Sequence, residues 1–389
     1  MQDPVIQFIA QSIRGAFPFG SNVDAPAIPH SLNWDAVRQC AEENAVAPLL
    51  YASLKGHPGD QFPQPFIERL RIEFLRADTA NWVALRQLQS LGAEFQTARI
   101  PAIALKGGAL ATTLYPDPAL RPMSDLDFLI PRSQFADADA LMRAQGFKSP
   151  VELTQDFAPR WTNYRAYARG GKDPAHIELH WHLFKSPYYW MRVPIEWFWE
   201  HTTEMMIQQQ SIRVFSREAQ FLHLAAHFAL HHRSERLLWS YDLARWIARD
   251  RAVMDWDLLV ETSERFGLAI AVRAALAQVS ETWGVRAPDA ATARWNASRP
   301  GWQDRTAFAL MNARRGEARF LLDLVSLSGV NAKWQFLWYH LFPARAYMRD
   351  RYHVQNLKIP FFYLWRLADG ILKLFRSLFL YNLIHFLIF

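Results

Sequence analysis

The first feature of this chain that could carry out chemistry is a pair of carboxylates two residues apart. Asp125 and Asp127 lie in a stretch over 125–130 that has the alternating period of a β-strand. Because alternate side chains of a strand share a face, both carboxylates would lie side by side, with Leu126 and Phe128 in the core. Adjacent carboxylates repel unless a cation lies between them, and hard oxygen ligands suit Mg²⁺ or Mn²⁺. The pair therefore indicates a divalent metal site, although such pairs are also common as solvated surface groups.

A third acid lies in a segment over 176–183 that alternates strictly between polar and apolar residues. The polar face carries His176, Glu178, His180 and His182, and the apolar face carries Ile177, Leu179, Trp181 and Leu183. A strand beside the aspartate strand would bring Glu178 to the pair as a third metal-binding carboxylate. The alternative is an amphipathic edge strand with a solvated, histidine-rich face.

A glycine turn follows the short apolar run over 100–105. Lys106, Gly107 and Gly108 would connect a buried strand to a helix over 109–115. Glycines let a backbone approach a phosphate closely, and the start of a helix offers free N–H groups. Lys106 would add a point charge, and Arg121 could reach the same anion. The alternative is a tight turn that binds nothing.

The order of these motifs resembles the nucleotidyltransferase core of the DNA polymerase β-like superfamily. The chain is more closely similar to an uncharacterised bacterial nucleotidyltransferase family within it. The shared stretches are Leu105-Lys106-Gly107, Leu114-Tyr115-Pro116, Arg121-Pro122-Met123-Ser124-Asp125-Leu126-Asp127 and Glu178-Leu179-His180-Trp181. Many superfamily members have Gly-Ser where this chain has Gly107-Gly108, so Lys106 is expected to replace the missing hydroxyl contact.

The resemblance implies an α+β fold, with a small mixed sheet and its helices embedded between mostly helical regions. It implies transfer of a nucleoside monophosphate from an NTP to an acceptor, with release of pyrophosphate. The implied ligands of two Mg²⁺ or Mn²⁺ ions are Asp125, Asp127 and Glu178, and these are also the catalytic residues. The implied nucleotide-binding residues are Lys106, Gly107, Gly108, Arg121, Ser124 and His180. The acceptor stays open among small molecules, saccharides, peptides and RNA.

The periodicity of the chain divides it into four regions. We expect an N-terminal helical region over 1–96, the nucleotidyltransferase core over 97–216, a helical domain over 217–345 and an aromatic-rich tail over 346–389. The stretch over 286–300, rich in Pro, Ala and Arg, is the candidate linker.

A row of histidines offers a different site. His223, His227 and His231 recur every four residues on a predicted helix, a spacing that can bind zinc. Packing against the core, with a contact to the nucleotide or acceptor, is the favoured interpretation, because no catalytic carboxylate accompanies the row. Asp242, in an apolar helix, is expected to pair with Arg245 or Arg236.

The composition of the chain limits the classes of protein. The 389 residues are 51% hydrophobic and carry a net charge of +6, which suits an anionic ligand or an acidic membrane surface. Cys40 is the only cysteine, which fits a reducing cytoplasm and excludes cysteine zinc clusters. No secretory signal is recognisable at the start of the chain. The chain has no P-loop, dinucleotide-binding or Gly-x-Ser-x-Gly motif, which argues against those enzyme classes.

The C-terminal tail leaves two alternatives open. Residues 359–389 are rich in Phe, Leu, Trp and Tyr and carry Arg366, Lys373 and Arg376. They would form either an interfacial helix on the inner face of the membrane or a segment that docks on the protein or a partner subunit. Two rival functions follow: an inactive nucleotide-binding or membrane-associated scaffold, and a metal hydrolase centred on the histidine row.

Overall fold

The structure is a computed structural model. It describes residues 3–17, 32–57, 61–149, 162–170, 175–207, 209–231, 235–314, 316–343, 345–353, 359–370 and 372. Its architecture is α+β: one six-stranded mixed sheet lies between helical regions, as the sequence predicts. All of the described strands fall between Ile103 and Phe215.

The N-terminal helices pack as a group before the first strand. They are α1 (Pro4–Ala16), α2 (Trp34–Glu43), α3 (Ala47–Leu54) and α4 (Gln64–Thr97). Asn33 caps α2, because its side-chain oxygen accepts from the backbone N–H of Ala36 at 3.1 Å. Helix α4 is long, continuous and amphipathic. Its apolar stripe, which includes Leu85 and Leu88, is buried against the sheet.

The core of the fold alternates strands and helices. In chain order its elements are β1 (Ile103–Leu105), α5 (Lys106–Leu110), β2 (Leu126–Leu129), α6 (Phe135–Ala144), β3 (Tyr164–Arg169), β4 (Ala175–His180), α7 (Pro187–Trp190), α8 (Ile195–Glu200), β5 (Thr202–Ile207) and β6 (Gln210–Phe215). The strand order across the sheet is β3-β4-β2-β1-β6-β5. Strands β2 and β4 are parallel neighbours, and β1 pairs antiparallel with β2. Strands β3 and β4 pair antiparallel, with Tyr164 opposite His180.

The helix after β1 differs from its prediction over 109–115. It begins at Lys106 and ends at Leu110, so both glycines lie inside its first turn. The strand is correspondingly short, because Lys106 has a positive φ of 44° that breaks the extended backbone there.

The two faces of the sheet are buried in different cores. On one face, Leu126 and Phe128 of β2 join Ile177 and Leu179 of β4 in a cluster with α4 and α6. On the opposite face, Leu105 and Leu129 belong to the large core shared with the helices that follow the sheet. Because side chains alternate along a strand, Asp127, Glu178 and His180 point toward this second face.

A C-terminal series of helices completes the fold. It comprises α9 (Arg217–His231), α10 (Leu237–Asp250), α11 (Trp256–Arg265), α12 (Ala269–Trp283), α13 (Asp289–Ala297), α14 (Trp302–Asn312), α15 (Gly316–Ser326), α16 (Val330–Leu341) and α17 (Arg345–Tyr352), followed by helical residues over 359–370. In the part of the chain that the structure describes, no helix is both long enough and apolar enough to span a membrane. Residues 373–389 of the predicted tail lie outside the described residues.

The linker predicted over 286–300 is wrong. Residues Asp289–Ala297 form α13, and Trp295 is buried with its indole N–H donating to Ser263 Oγ at 2.8 Å. The Pro and Ala content suggested a segment without secondary structure. The segment instead forms a helix, which the buried side chain of Trp295 anchors to the rest of the fold.

Candidate active site

The register of two parallel strands places the central acids side by side. Asp127 of β2 and Glu178 of β4 are direct cross-strand partners. Asp127 is buried, with 3% of its surface exposed, whereas Glu178 is partly exposed. Strand β4 lies inside the sheet, so the alternative of a solvated edge strand is wrong. Asp127 and Glu178 therefore form an acidic cluster on the face of the sheet that lies toward α9.

Asp125 lies at the mouth of the same cleft. Strand β2 begins at Leu126, so Asp125 precedes the strand that was predicted to include it. Ser124 is exposed, and its hydroxyl donates to Asp125 Oδ1 at 3.2 Å. Burial and then the charge of Asp127 raise the pKa of Asp125. A cation between the two carboxylates would relieve this repulsion.

His180 joins the acidic pair directly. Its Nε2 lies 2.8 Å from Asp127 Oδ1 and 3.1 Å from Glu178 Oε2. One ligand atom from each of these three residues can be chosen so that all lie within 4.8 Å of one another. Among the described residues this is the only such group of three or more potential metal ligands. The sequence assigned His180 to the nucleotide, whereas the geometry also makes it a potential metal ligand.

Lys106 supplies the positive charge nearest to the acids. Its Nζ donates to Asp127 Oδ1 at 2.6 Å. Burial opposes the charge on Lys106, but Asp127, Glu178 and Asp125 outweigh this effect and raise the pKa of Lys106. Burial also opposes the charge on Asp127, but Lys106 and then His180 outweigh it and hold its pKa well below the usual value. Both groups are therefore charged at neutral pH.

The two glycines of the turn have different surroundings. A Cβ on Gly107 would lie 2.6 Å from Arg121 Nη1 and 2.8 Å from Met123 Cγ. A Cβ on Gly108 would meet nothing closer than Leu126 Cδ2 at 3.5 Å, an ordinary contact. Gly107 is therefore required by packing.

We expect Gly107→Ala to destabilise the protein by about 1–3 kcal/mol, the usual cost of overpacking a fixed site. Gly108→Ala is the matched control and should change the free energy of unfolding by less than about 1 kcal/mol, since a helical Gly-to-Ala change is intrinsically favourable. Urea unfolding of both variants measures the difference. If the two variants had the same free energy of unfolding, the side chains of Arg121 and Met123 would have moved away from the added methyl group of Gly107→Ala without an energetic cost.

Arg121 makes a buried ion pair across the fold. Its Nη2 lies 2.8 Å from Asp242 Oδ2, and the Tyr115 hydroxyl donates to Asp242 Oδ1 at 2.5 Å. The prediction that Asp242 pairs with Arg245 or Arg236 is wrong: Arg245 donates instead to the carbonyl of Leu114. Arg121 also borders the cleft, and its ion pair fixes the loop that leads to Asp125.

The histidine row of α9 forms the wall that faces the acids. The cleft has a volume of about 410 Å³, and its lining includes His223, His227 and His231. His223 is buried, with 1% of its surface exposed, and burial together with Lys106 lowers its pKa to about 3. His223 is therefore neutral at neutral pH. This arrangement agrees with the packing interpretation and gives no support to a hydrolase centred on the row.

Several residues of the cleft carried no recognisable signal in the sequence. Lys185, Arg236 and Trp239 line it together with the acids. Burial, followed by the charge of Arg319, lowers the pKa of Lys185. Lys185 lies in the loop before α7, whereas Arg236 and Trp239 lie at the start of α10, so no spacing pattern could have grouped them with the acids.

The sheet, its paired acids and the adjoining lysine agree with the nucleotidyltransferase core that the sequence motifs resemble. The sequence matches the family described as uncharacterised nucleotidyltransferase over residues 30–284, and the chain belongs to that family. This match includes every site residue described above.

Other comparisons add little to this assignment. The chain resembles a solved antigenic nucleotidyltransferase-like protein from Paracoccidioides brasiliensis, with 16% identity and a TM-score of 0.35. That similarity covers 54% of this chain and 95% of the other. No functionally curated protein matches the chain. The family assignment therefore rests on the sequence match.

Proposed function

We propose that the chain is a metal-dependent nucleotidyltransferase that moves a nucleoside monophosphate from an NTP to an acceptor and releases pyrophosphate. The observation that carries this proposal is the pairing of Asp127 with Glu178 across β2 and β4, with Asp125 and Lys106 in the same cleft. Membership of the family supports the same reaction class.

The donor set fits a divalent ion. Asp127 and Glu178 offer carboxylate oxygens and His180 adds an imidazole nitrogen within one group of potential metal ligands, and Asp125 lines the same cleft outside that group. Hard oxygen ligands favour Mg²⁺ or Mn²⁺, and the imidazole is compatible with Mn²⁺. Two ions held by these acids would lower the pKa of the acceptor oxygen and neutralise charge on the triphosphate.

The glycine turn is proposed to hold the triphosphate. Of the two glycines, Gly107 lines the cleft without a side chain and Gly108 is buried against Leu88 and Leu126, while Lys106 supplies a cation to the cleft. When an anionic ligand enters, Lys106 can exchange its contact with Asp127 for a phosphate oxygen. Arg121 keeps the loop in place, and the Ser124 hydroxyl is exposed where it can meet the nucleotide.

The transfer step forms one bond and breaks one. The acceptor oxygen attacks the α-phosphorus, the bond from that phosphorus to the bridging oxygen breaks, and pyrophosphate leaves with its electron pair. Glu178 is partly exposed at the cleft and can accept the proton that an acceptor hydroxyl loses. The acceptor class stays open among small molecules, saccharides, peptides and RNA.

One observation favours an inactive nucleotide-binding scaffold as the second candidate. Lys106 occupies Asp127 Oδ1 at 2.6 Å, and an ion pair of this kind competes with a metal for the same oxygen. A scaffold would bind nucleotide without turnover.

Pyrophosphate release separates the two candidates. Each of the four NTPs would be incubated with Mg²⁺ or Mn²⁺ while small-molecule, saccharide, peptide and RNA fractions are offered as acceptors. We expect release by the wild type with one donor and one fraction, and none by Asp125→Asn/Asp127→Asn. Nucleotide binding with no pyrophosphate from any combination would favour the scaffold.

A further inference from the structure

The positive charge of this protein is concentrated at one end of the chain. Residues 330–389 contain eight Lys or Arg residues and two Asp residues, which gives six net positive charges. The whole chain, with 43 basic and 37 acidic residues, also carries +6, so residues 1–329 are electrically balanced. Arg345, Arg349 and Arg351 of this basic end are exposed on α17.

The same end exposes large apolar side chains. On α16, Trp334 and Trp338 are one helical turn apart and are 64% and 63% exposed. Eight of the fourteen large hydrophobic residues that are exposed within the described ranges lie between Val325 and Leu372. A concentration of large exposed apolar side chains in one segment is typical of a surface that contacts another molecule or a membrane.

The helix over 359–370 is turned with its apolar stripe outward. Phe361, Leu364 and Trp365, together with Leu372, follow the spacing of one helical face and are 57–68% exposed. The other side of this helix contacts α16 and the residues after it. There Arg366 Nη2 donates to the His340 carbonyl at 2.5 Å, and the Tyr363 hydroxyl donates to the Pro343 carbonyl at 2.6 Å. The outward stripe is thus held in place by polar contacts behind it.

We propose that this surface binds the headgroup region of an anionic lipid bilayer. The C-terminal surface is defined by Trp334, Trp338, Phe361, Leu364, Trp365 and Leu372, with the cations of α17 beside it in sequence. Tryptophan rings settle at the headgroup level of a bilayer, and basic side chains are attracted to anionic lipids. The proposed contact is peripheral, with the exposed side chains at the level of the headgroups.

Charge argues against a second copy of the chain as the occupant. A symmetric dimer through this surface would juxtapose two copies of a stretch over 330–372 in whose described part the basic residues outnumber the acidic ones, namely Lys333, Arg345, Arg349, Arg351 and Arg366 against Asp350 and Asp369. Like charges across an interface are unfavourable, whereas an anionic bilayer is complementary to them.

Co-sedimentation of the full chain with lipid vesicles tests the proposal. The vesicles are pure phosphatidylcholine, or phosphatidylcholine in which part of the lipid is replaced by phosphatidylglycerol. We expect binding to the phosphatidylglycerol vesicles, weakened by high salt, and little binding to the neutral ones. Arg345→Gln/Arg349→Gln should lower the partition coefficient onto the phosphatidylglycerol vesicles by about fivefold for each charge removed. The matched control is Arg71→Gln/Arg76→Gln, two partly or largely exposed arginines of α4.

A second variant tests the apolar contribution. Trp334→Ser/Trp338→Ser/Trp365→Ser changes only exposed rings, so the fold should be retained, as circular dichroism would show. It should lower vesicle binding on the order of tenfold or more. The control is Trp82→Ser/Trp302→Ser, whose rings are 55% and 52% exposed elsewhere on the protein.

Three results would overturn the proposal. They are no binding to any vesicle by folded protein, equal binding to neutral and anionic vesicles, and undiminished binding by the tryptophan variant. Dimerisation that is lost in the tryptophan variant, without vesicle binding, would assign the surface to a second copy instead. None of these results depends on nucleotidyl transfer, so they leave the proposed reaction untouched.

Discussion

Replacing Asp127 with asparagine is expected to lower nucleotidyl transfer about 10³-fold or more. Asp127 lies where β1, β2 and β4 meet, and it contacts both Lys106 and His180. In the proposed reaction, removing its charge deletes a metal ligand next to Glu178, and a metal ion contributes several kcal/mol of transition-state stabilisation. The measurement is the rate of pyrophosphate release with the donor and acceptor fraction that the wild type uses.

The same substitution leaves Lys106 in a buried position without its carboxylate partner. Some loss of stability is therefore expected, and rates should be compared at a temperature where circular dichroism shows both proteins folded. Asp137→Asn, an exposed aspartate on α6, is the control and should keep full activity. If Asp127→Asn kept more than about a tenth of the wild-type rate, the acid could not be a ligand of the catalytic metal.

Replacing Arg121 with methionine is expected to cause the largest loss of stability, about 3–5 kcal/mol. The substitution leaves the carboxylate of Asp242 buried without its cation, and Asp242 has 0% of its surface exposed. Only the Tyr115 hydroxyl would remain as its hydrogen-bond donor among the contacts described above. Chemical denaturation followed by circular dichroism measures the loss.

Two further variants separate the cost of an unpaired charge from the value of the ion pair. Arg121→Met/Asp242→Leu removes both charges and should recover a large part of the lost stability. Arg38→Ala breaks a partly exposed pair with Glu42 and should cost far less stability than Arg121→Met. If Arg121→Met were no more destabilising than Arg38→Ala, the buried pair would not be what anchors the loop before Asp125.

Local periodicity predicted the strands of the core well. Strict alternation over 176–183 predicted a strand, and the structure confirms it over Ala175–His180, with Ile177 and Leu179 at 0% exposure, whereas residues 181–183 lie beyond its end. The period of two is set by neighbouring residues alone, so a single sequence reveals it. The start of β2 was predicted less well. The strand begins at Leu126, one residue after the predicted start at Asp125, because the turn before it has no periodic pattern.

Contacts between distant residues could not be predicted in the same way. Arg121 and Asp242 are 121 positions apart, and each has several oppositely charged residues nearer in sequence. Their pairing follows from how α10 packs on the core, which no local pattern encodes. The proximity of His180 to Asp127 likewise depends on strand register, because only the parallel pairing of β2 with β4 brings the two side chains together.

Thermal stabilisation by nucleotides tests whether these acids form a metal-dependent nucleotide site. The melting temperature of the wild type and of Asp125→Asn/Asp127→Asn would be measured with ATP, CTP, GTP and UTP, each with and without Mg²⁺ or Mn²⁺. A ligand that binds only the folded state stabilises it, by about 2.7 kcal/mol at a hundredfold excess over Kd. We predict that at least one nucleotide raises the melting temperature of the wild type only when metal is present, and that the double variant loses this rise. No rise with any nucleotide, or an equal rise in the double variant, would contradict a metal-dependent nucleotide site at these acids.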